Sequence, residues 1–274
     1  MNQLVPGEPL IVFQDVHIAF DEGDILRGVS FEVEQGETKV LLGESGAGKT
    51  LLMKLAAGLL RPDSGRIIVM GHDVGEMPEK ALLDFRRRIG FVFQEGALFD
   101  SMDVASNVAF RLREEAIEEA EIEARVREAL RFVELESAID LFPAELSGGM
   151  RRRVSIARAL VDRPPIVFYD SPTAGLDPVT SQTIISLILR GRDLQNVTSM
   201  LATHRVQDAF GLAYFRYDSK TGHVIRLSRN GDRPREHPTR IVVLREGKVY
   251  FEGIPEDILH SSDEYLKEYL ASAE

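Results

Sequence analysis

A glycine-rich loop carries the clearest chemical pattern in the sequence. It follows an apolar run at residues 38–42, precedes another at 51–60, and reads Gly43-Glu44-Ser45-Gly46-Ala47-Gly48-Lys49-Thr50. Glycines let consecutive backbone N–H groups point inward, and the helix that follows adds partial positive charge, so the loop suits a polyphosphate. Lys49 would reach the β- and γ-phosphates, and the Thr50 hydroxyl would coordinate Mg²⁺. We therefore predict a polyphosphate-binding loop from Gly43 to Leu51; the alternative is a glycine-rich turn with an exposed lysine.

Two further segments make this pattern specific. Leu146-Ser147-Gly148-Gly149-Met150 begins an arginine-rich helix, and an apolar run that begins at Ile166 ends in the carboxylate of Asp170. A serine and two glycines at a helix N-terminus form a second anion cradle, although Ser147 could also be only a helix cap. With the glycine-rich loop, in this order and rough spacing, these segments resemble the ATPase domain of ABC transporters.

The resemblance implies an α/β fold: a P-loop ATPase domain with a mixed, largely parallel central sheet, an antiparallel β subdomain and a helical subdomain. It also implies ATP and Mg²⁺ as ligands. In this family the second cradle contacts the γ-phosphate of ATP held by another subunit, so a homodimer would sandwich two nucleotides between its copies. The residues with this implied role are Ser147, Gly148 and Gly149.

Other family positions carry over one at a time. Gln94 matches the Q-loop glutamine, His204 the switch histidine near the γ-phosphate, and Asp177 the D-loop aspartate that joins the two sites of a dimer. Phe20 lies where the family places an aromatic ring on adenine. The alternatives are a polar strand end for Gln94, a helix cap for His204 and a core position for Phe20. The implied metal ligands are Thr50, Gln94 and Asp170.

The sequence departs from the family pattern at one catalytic position. Ser171 follows Asp170, where the family normally has a glutamate that polarises the attacking water. A serine hydroxyl can orient water but cannot take up its proton near neutral pH, and loss of a general base typically costs about 10² to 10⁴ in rate. Slow turnover, a base from elsewhere and an ATP-closed clamp are the three alternatives. We expect slow but real hydrolysis, because the other catalytic residues, Lys49, Gln94, Asp170 and His204, are retained.

The order of predicted elements assigns the chain to one main domain. Residues 10–34 alternate as two antiparallel strands, and strands then alternate with helices, which favours an open, mainly parallel sheet. We predict an ATPase domain over residues 8–260, with a helical subdomain at about 95–160, a hairpin and loop insertion at about 214–240, and a helical tail at 261–274. A helix predicted over residues 255–273 carries an apolar stripe that would dock on its own domain or on a second subunit. The stripe is formed by Tyr265, Leu266, Tyr269 and Leu270.

Composition limits the classes of protein. The chain has 274 residues, no cysteine and a formal net charge of -11, which excludes disulfide chemistry and argues against binding nucleic acid through global charge. It has no apolar run near the roughly eighteen residues of a membrane span, and its first ten residues lack the pattern of a signal peptide. We therefore expect a soluble intracellular protein that reaches a membrane only through a partner.

One loop indicates a subfamily. Residues 93–104 and 107–110, together with the methionine of the LSGGM motif, are similar to the ATPases of Mla-type lipid transporters that work with MCE proteins. The resemblance implies a permease, an MCE-domain substrate-binding protein and a place on the cytoplasmic face of the bacterial inner membrane. ATPases of small-solute importers and a clamp with negligible turnover remain alternatives. An apolar set could receive a permease helix or face the core; its members are Ala97, Leu98, Phe99 and Met102.

Overall fold

The computed structural model describes residues 9–21, 23–115, 117–227 and 238–272. Its strands are β1 Ile11–Phe20, β2 Gly23–Val33, β3 Thr38–Gly43, β4 Ser64–Val69, β5 His72–Asp73, β6 Ile89–Val92, β7 Ile166–Asp170, β8 Thr198–Ala202, β9 Phe215–Asp218, β10 His223–Arg226, β11 Thr239–Arg245 and β12 Lys248–Gly253. Its α-helices are α1 Lys49–Ala56, α2 Glu79–Arg86, α3 Val104–Ala109, α4 Glu119–Phe132, α5 Gly148–Leu160, α6 Pro178–Gln195, α7 Val206–Tyr214, α8 Pro255–Leu259 and α9 Glu264–Ser272.

The largest sheet in the described part of the chain has six strands in the order β12-β11-β3-β8-β7-β6. All neighbours are parallel except β12, which runs antiparallel to β11. Strands β3, β7 and β8 are buried at every position, as expected for apolar strands covered on both faces. Leu41 and Asp170 both pair with Ala202, so the carboxyl ends of these three strands meet at one edge. The predicted α/β class with a mixed central sheet is confirmed.

A second sheet, in the order β2-β1-β4-β5, is antiparallel throughout. It confirms the two antiparallel strands predicted over residues 10–34. Phe13 and Phe31 stack at 4.5 Å on its inner face, and the same apolar cluster includes Phe168 and Met200 of the central sheet. The two sheets therefore share one core, which fixes the antiparallel sheet beside the edge where the glycine-rich loop lies.

Helices α3, α4 and α5 lie within the predicted helical region. Helix α4 buries Ile122, Val126 and Leu130, while its glutamate and arginine side chains pair one turn apart on the exposed face. The glutamates and arginines of α4 thus form a solvated helix face, as their spacing of three and four residues in the sequence indicates. The division of residues 8–260 into subdomains stays a prediction.

The predicted insertion at about 214–240 begins with a β-hairpin, as expected. Strands β9 and β10 pair antiparallel, and the backbone N–H of Tyr217 donates to the Asp193 carboxylate on α6 at 2.6 Å. The Arg190 guanidinium lies 5.4 Å from the centre of the Tyr217 ring. These contacts attach the hairpin to α6. The polar run predicted as a loop over residues 228–238 lies, apart from Pro238, outside the described residues.

The C-terminal segment corrects one prediction. The single helix expected over 255–273 is divided into α8 and α9, because Asp263 lies between them and its carboxylate accepts from the Leu266 N–H at 2.9 Å, as a helix-starting cap does. The apolar stripe docks on its own domain, where Leu266 is 2% exposed and Tyr269 is buried. Within the described ranges, none of the helices is both long enough and apolar enough to cross a membrane.

Candidate functional site

The glycine-rich loop connects β3 to α1, as its flanking apolar runs predict. Gly43 has a φ of +141°, and a side chain there would approach the Leu244 carbonyl oxygen to 2.5 Å. Gly48, with a φ of +93°, precedes α1 and packs against Leu26. Only glycine combines these backbone angles with this crowding at low energy. The loop is therefore held in a wrapped conformation that directs the N-terminus of α1 toward its interior.

Lys49 lies inside this loop. Its Nζ donates to the carbonyl oxygens of Gly43 at 2.8 Å and Glu44 at 2.7 Å. Burial lowers the pKa of Lys49 below its ordinary value, and the nearby carboxylates of Asp170 and Glu44 partly oppose this shift. A bound phosphate would stabilise the charged amine further, because it places negative charge beside a partly desolvated cation.

Thr50 and Asp170 form the candidate magnesium site. The Thr50 hydroxyl donates to Asp170 Oδ1 at 2.8 Å, across the edge where α1 begins and β7 ends. Mg²⁺ prefers oxygen ligands and is usually held by one or two protein oxygens together with substrate phosphates. This hydroxyl and carboxylate therefore fit the ion, and Gln94 can add an amide oxygen from the same cleft.

A cleft of about 560 Å³ brings most of the predicted site residues together. It is lined by Phe20, Ile25, Ser45, Gly46, Gly48, Lys49, Thr50, Leu51, Lys54, Leu60, Gln94, Ser171, Ala174 and His204. Phe20 is 51% exposed, whereas Phe13 is 1% exposed, so the core alternative holds for Phe13 and is wrong for Phe20. Among the loop residues outside the lining, Gly43 and Glu44 accept from Lys49, and Ala47 packs against the core.

Ser171 is fixed by its backbone. It has a φ of +47°, its N–H donates to the Ala202 carbonyl at 2.8 Å, and its own carbonyl accepts from Arg152 Nη1 at 3.2 Å. Arg152 also donates to the Phe93 carbonyl, next to Gln94, and is 6% exposed. Sequence reasoning missed Arg152. Its spacing from the buried Gly149 and Ile156 on α5 is the signal that could have placed it on the inward face.

His204 lies directly after β8 and lines the cleft. The helix that follows has Arg205 at its N-cap position with no side-chain cap, so the capping alternative for His204 is wrong. Behind it, the hydroxyls of Thr173 and Thr203 donate to Asp208 Oδ2 at 2.5 and 2.9 Å. These buried hydrogen bonds connect the segment after β7 with the segment after β8 at the edge of the cleft. Sequence reasoning did not identify it.

The signature and D-loop residues lie outside this cleft. Ser147 Oγ accepts from the Met150 N–H at 3.2 Å and caps α5, while a side chain at Gly149 would approach Thr180 to 2.5 Å. Asp177 caps α6 through the N–H groups of Val179 and Thr180. The helix-cap role considered for Ser147 is thus present, and a role toward nucleotide would require a second copy.

The sequence agrees with known proteins at the level of family. A family model described as ABC transporter matches residues 26–174, more than half of the chain. The chain belongs to the ABC transporter family. It is an ABC-type ATPase, and the match spans the glycine-rich loop, Gln94, the signature motif and Asp170. Phe20, Asp177 and His204 lie outside the matched residues, so their assignments rest on position in the structure.

Individual relatives cover most of this ABC ATPase. The intermembrane phospholipid transport system ATP-binding protein MlaF of Haemophilus influenzae is 33% identical over 93% of this chain and 88% of that protein. The methionine import ATP-binding protein MetN of Caulobacter vibrioides is 35% identical over 97% of this chain and 73% of that protein. A dimeric ATP-binding cassette in a post-hydrolysis state, bound to ADP and Pi, has a TM-score of 0.73 and 27% identity, covering 89% of this chain and 98% of that one. The chain is similar to ATPase subunits of transporters for different substrates. These similarities assign the ATPase family and do not identify the transported molecule.

The apolar set at residues 97–102 is divided by the structure. Ala97 and Phe99 line a groove of about 700 Å³ together with Phe91, Phe93 and other residues of α2, β6 and α5, whereas Leu98 packs against the core and Met102 is half-buried. Arginines line the same groove, namely Arg86, Arg87, Arg111 and Arg158. The groove is thus an apolar surface with a basic border, suited to a helix of another chain.

Proposed function

We propose that the chain is the ATP-hydrolysing subunit of a bacterial lipid transporter, acting as a homodimer beneath an integral-membrane permease. The convergence of Lys49, the Thr50–Asp170 pair, Ser171 and His204 on one cleft carries the assignment of the ATP site. The similarity to MlaF over 88% of that protein supports phospholipid as the cargo and an MCE-domain protein as a further partner. The proposed location is the cytoplasmic face of the inner membrane.

The chemistry follows from the positions of the side chains. Loop N–H groups and Lys49 bind the phosphates, while Phe20 stacks on the adenine ring. Gln94, Ser171 and His204 line the same cleft. We propose that they lie toward the γ-phosphate and orient the attacking water. Mg²⁺, when bound at Thr50 and Asp170, neutralises phosphate charge. Because Ser171 cannot accept the proton of the water, we propose that hydrolysis is slow and relies on positioning and electrostatics.

The homodimer would complete each site with the signature residues of the other copy. We propose that Ser147, Gly148 and Gly149 of one copy contact the γ-phosphate bound by the partner subunit, and that Asp177 lies at the junction of the two sites. Ser147, Gly148 and Asp177 are exposed at the starts of α5 and α6, outside their own cleft, which supports this arrangement. ATP would then draw two copies together, and hydrolysis would let them separate.

Ser147→Asp is expected to abolish ATP-driven dimerisation while leaving nucleotide binding by the monomer unchanged. Aspartate preserves the α5 cap but places negative charge where the partner's phosphate would lie. Light scattering with and without ATP measures the effect, and Ser147→Asn, which caps without charge, is the control.

An equal mixture of the Ser147→Asp and Lys49→Ala chains should restore about a quarter of the unmixed wild-type ATPase rate. Half of the dimers are then mixed, and each mixed dimer holds one intact site of its two. No recovery in verified mixed dimers would contradict cross-subunit sites.

Leu83→Glu is expected to remove binding to the permease without changing ATP affinity. Leu83 is 57% exposed and lines the groove between α2 and α5, so a charge there would oppose burial of an apolar coupling helix. Copurification with the permease from detergent measures the effect. Leu194→Glu, an exposed leucine on α6 outside the groove, is the control. Equal recovery of permease with Leu83→Glu and with the unaltered chain would contradict the groove assignment.

Methionine import is the second candidate function, favoured by the 35% identity to MetN. The two functions separate when the chain and its permease are reconstituted in liposomes. ATP-dependent transfer of fluorescent phospholipid without methionine uptake would support the lipid assignment. Methionine uptake without lipid transfer would overturn it. A tight ATP-bound dimer with no turnover in either assay would instead favour the nucleotide-closed clamp.

A further inference from the structure

The C-terminal helix reaches the glycine-rich loop directly. The backbone N–H of Gly43 donates to the Tyr269 hydroxyl oxygen at 2.9 Å, in a buried contact between residues 226 positions apart. Tyr269 projects from α9, one turn after Leu266, which is buried in the same core. A residue far outside the family's sequence motifs therefore touches the first residue of the phosphate-binding loop.

Gly43 is held on both sides. Its N–H donates to Tyr269, and its carbonyl accepts from Lys49 Nζ at 2.8 Å. The space around it is closed, since a side chain there would approach the Leu244 carbonyl to 2.5 Å. The tyrosine, the glycine backbone and the lysine thus form a continuous chain of hydrogen bonds. The position of the hydroxyl helps to set where the loop begins and where the Lys49 amine lies.

Other contacts fasten α9 to the domain. The Arg245 guanidinium lies 3.9 Å from the centre of the Tyr265 ring, and the Tyr250 hydroxyl donates to Asp263 at 2.7 Å. Leu266 anchors the same helix in the core. These contacts hold the helix beside the loop, so the Tyr269 hydroxyl stays within hydrogen-bond distance of Gly43.

We propose that Tyr269 is a positioning residue for ATP binding, acting through Gly43 on the glycine-rich loop and Lys49. The proposal rests on the assignment of the ATP site to this loop. This role would allow ATP binding to be regulated through α9. A partner that moves this helix would weaken phosphate binding without contacting the nucleotide. Loss of the hydroxyl would leave a buried N–H without its acceptor and loosen the start of the loop.

Tyr269→Phe is expected to weaken ADP and ATP binding by about fivefold to thirtyfold, the effect of one buried donor left unsatisfied. The KM for ATP should rise while kcat stays within about twofold, because the residues that face the γ-phosphate are unchanged. Fluorescently labelled ADP measures affinity. Tyr265→Phe, one turn earlier on α9, and Tyr250→Phe, which removes a different tether of the same segment, are the matched controls.

The outcomes separate the alternatives. Unchanged ADP affinity in Tyr269→Phe, with Lys49→Ala still weakened, would overturn the positioning role. If Tyr269→Phe lowers thermal stability without nucleotide but keeps the wild-type affinity for ADP, the hydroxyl only stabilises the fold. That result would also overturn the positioning role. If Lys49→Ala itself bound ADP normally, the assignment of the ATP site would fail instead. Weakened affinity in Tyr269→Phe alone among the three tyrosine variants would support the proposal.

Discussion

Ser171→Glu is expected to raise the steady-state ATPase rate by about 10² to 10⁴, the typical contribution of a general base. The carboxylate would take up the proton that a serine hydroxyl cannot accept near neutral pH. Ser171 lines the same cleft as Gln94 and His204, so the new carboxylate would be placed in the site. The rate is measured with the purified chain and its membrane partners.

The structure explains why this substitution should be tolerated. The backbone at Ser171 is held by Ala202 and Arg152, and its left-handed conformation is already occupied by a residue with a side chain. Ser171→Gln is the matched control, because glutamine has nearly the same shape as glutamate but cannot act as a base. An equal gain in ATPase rate in both variants would mean that side-chain size, and not proton uptake, causes the increase. No gain in Ser171→Glu would show that the base is supplied elsewhere.

Lys49→Ala is expected to weaken ATP binding by roughly tenfold to a hundredfold, the effect of losing a charge-assisted hydrogen bond. The ammonium would no longer face the β- and γ-phosphates, and the carbonyls of Gly43 and Glu44 would lose their donor. Equilibrium titration with labelled ATP measures the change.

Lys54→Ala separates local charge from specific position. Lys54 lies on the same helix, lines the same cleft and carries the same charge. We expect its replacement to change ATP affinity by less than about threefold, because Lys54 lies half-buried on α1 outside the wrapped loop and would act only through its general charge. A larger loss in Lys54→Ala than in Lys49→Ala would mean that general electrostatic attraction, and not the wrapped loop, binds the nucleotide.

The sequence predicted features whose causes are local. The loop from Gly43 to Thr50 depends on glycine conformations and on the helix start that follows, and both can be recognised from neighbouring residues. The burial of β7 follows from an unbroken apolar run, and the solvated face of α4 from charges one turn apart. Alternation of strands and helices then indicated the mainly parallel sheet.

Features that depend on distant residues could not be predicted in this way. Only the structure places β11 beside β3 within the central sheet, where β11 also pairs with β12 as a hairpin. Arg152 lies between two other arginines in sequence, and its burial depends on carbonyls of Phe93 and Ser171. The contact of Tyr269 with Gly43 joins residues 226 positions apart. Local patterns carry no information on such pairings.

The steady-state ATPase rate of the unaltered chain with its membrane partners, compared with that of Lys49→Ala, tests the central claim most directly. We predict a slow rate that requires Mg²⁺ and lies clearly above the Lys49→Ala background, because phosphate binding, the Thr50–Asp170 pair and His204 are intact. A rate equal to that background, with tight ATP binding retained, would contradict the account of this protein as a working transport ATPase and would identify it as a clamp closed by nucleotide.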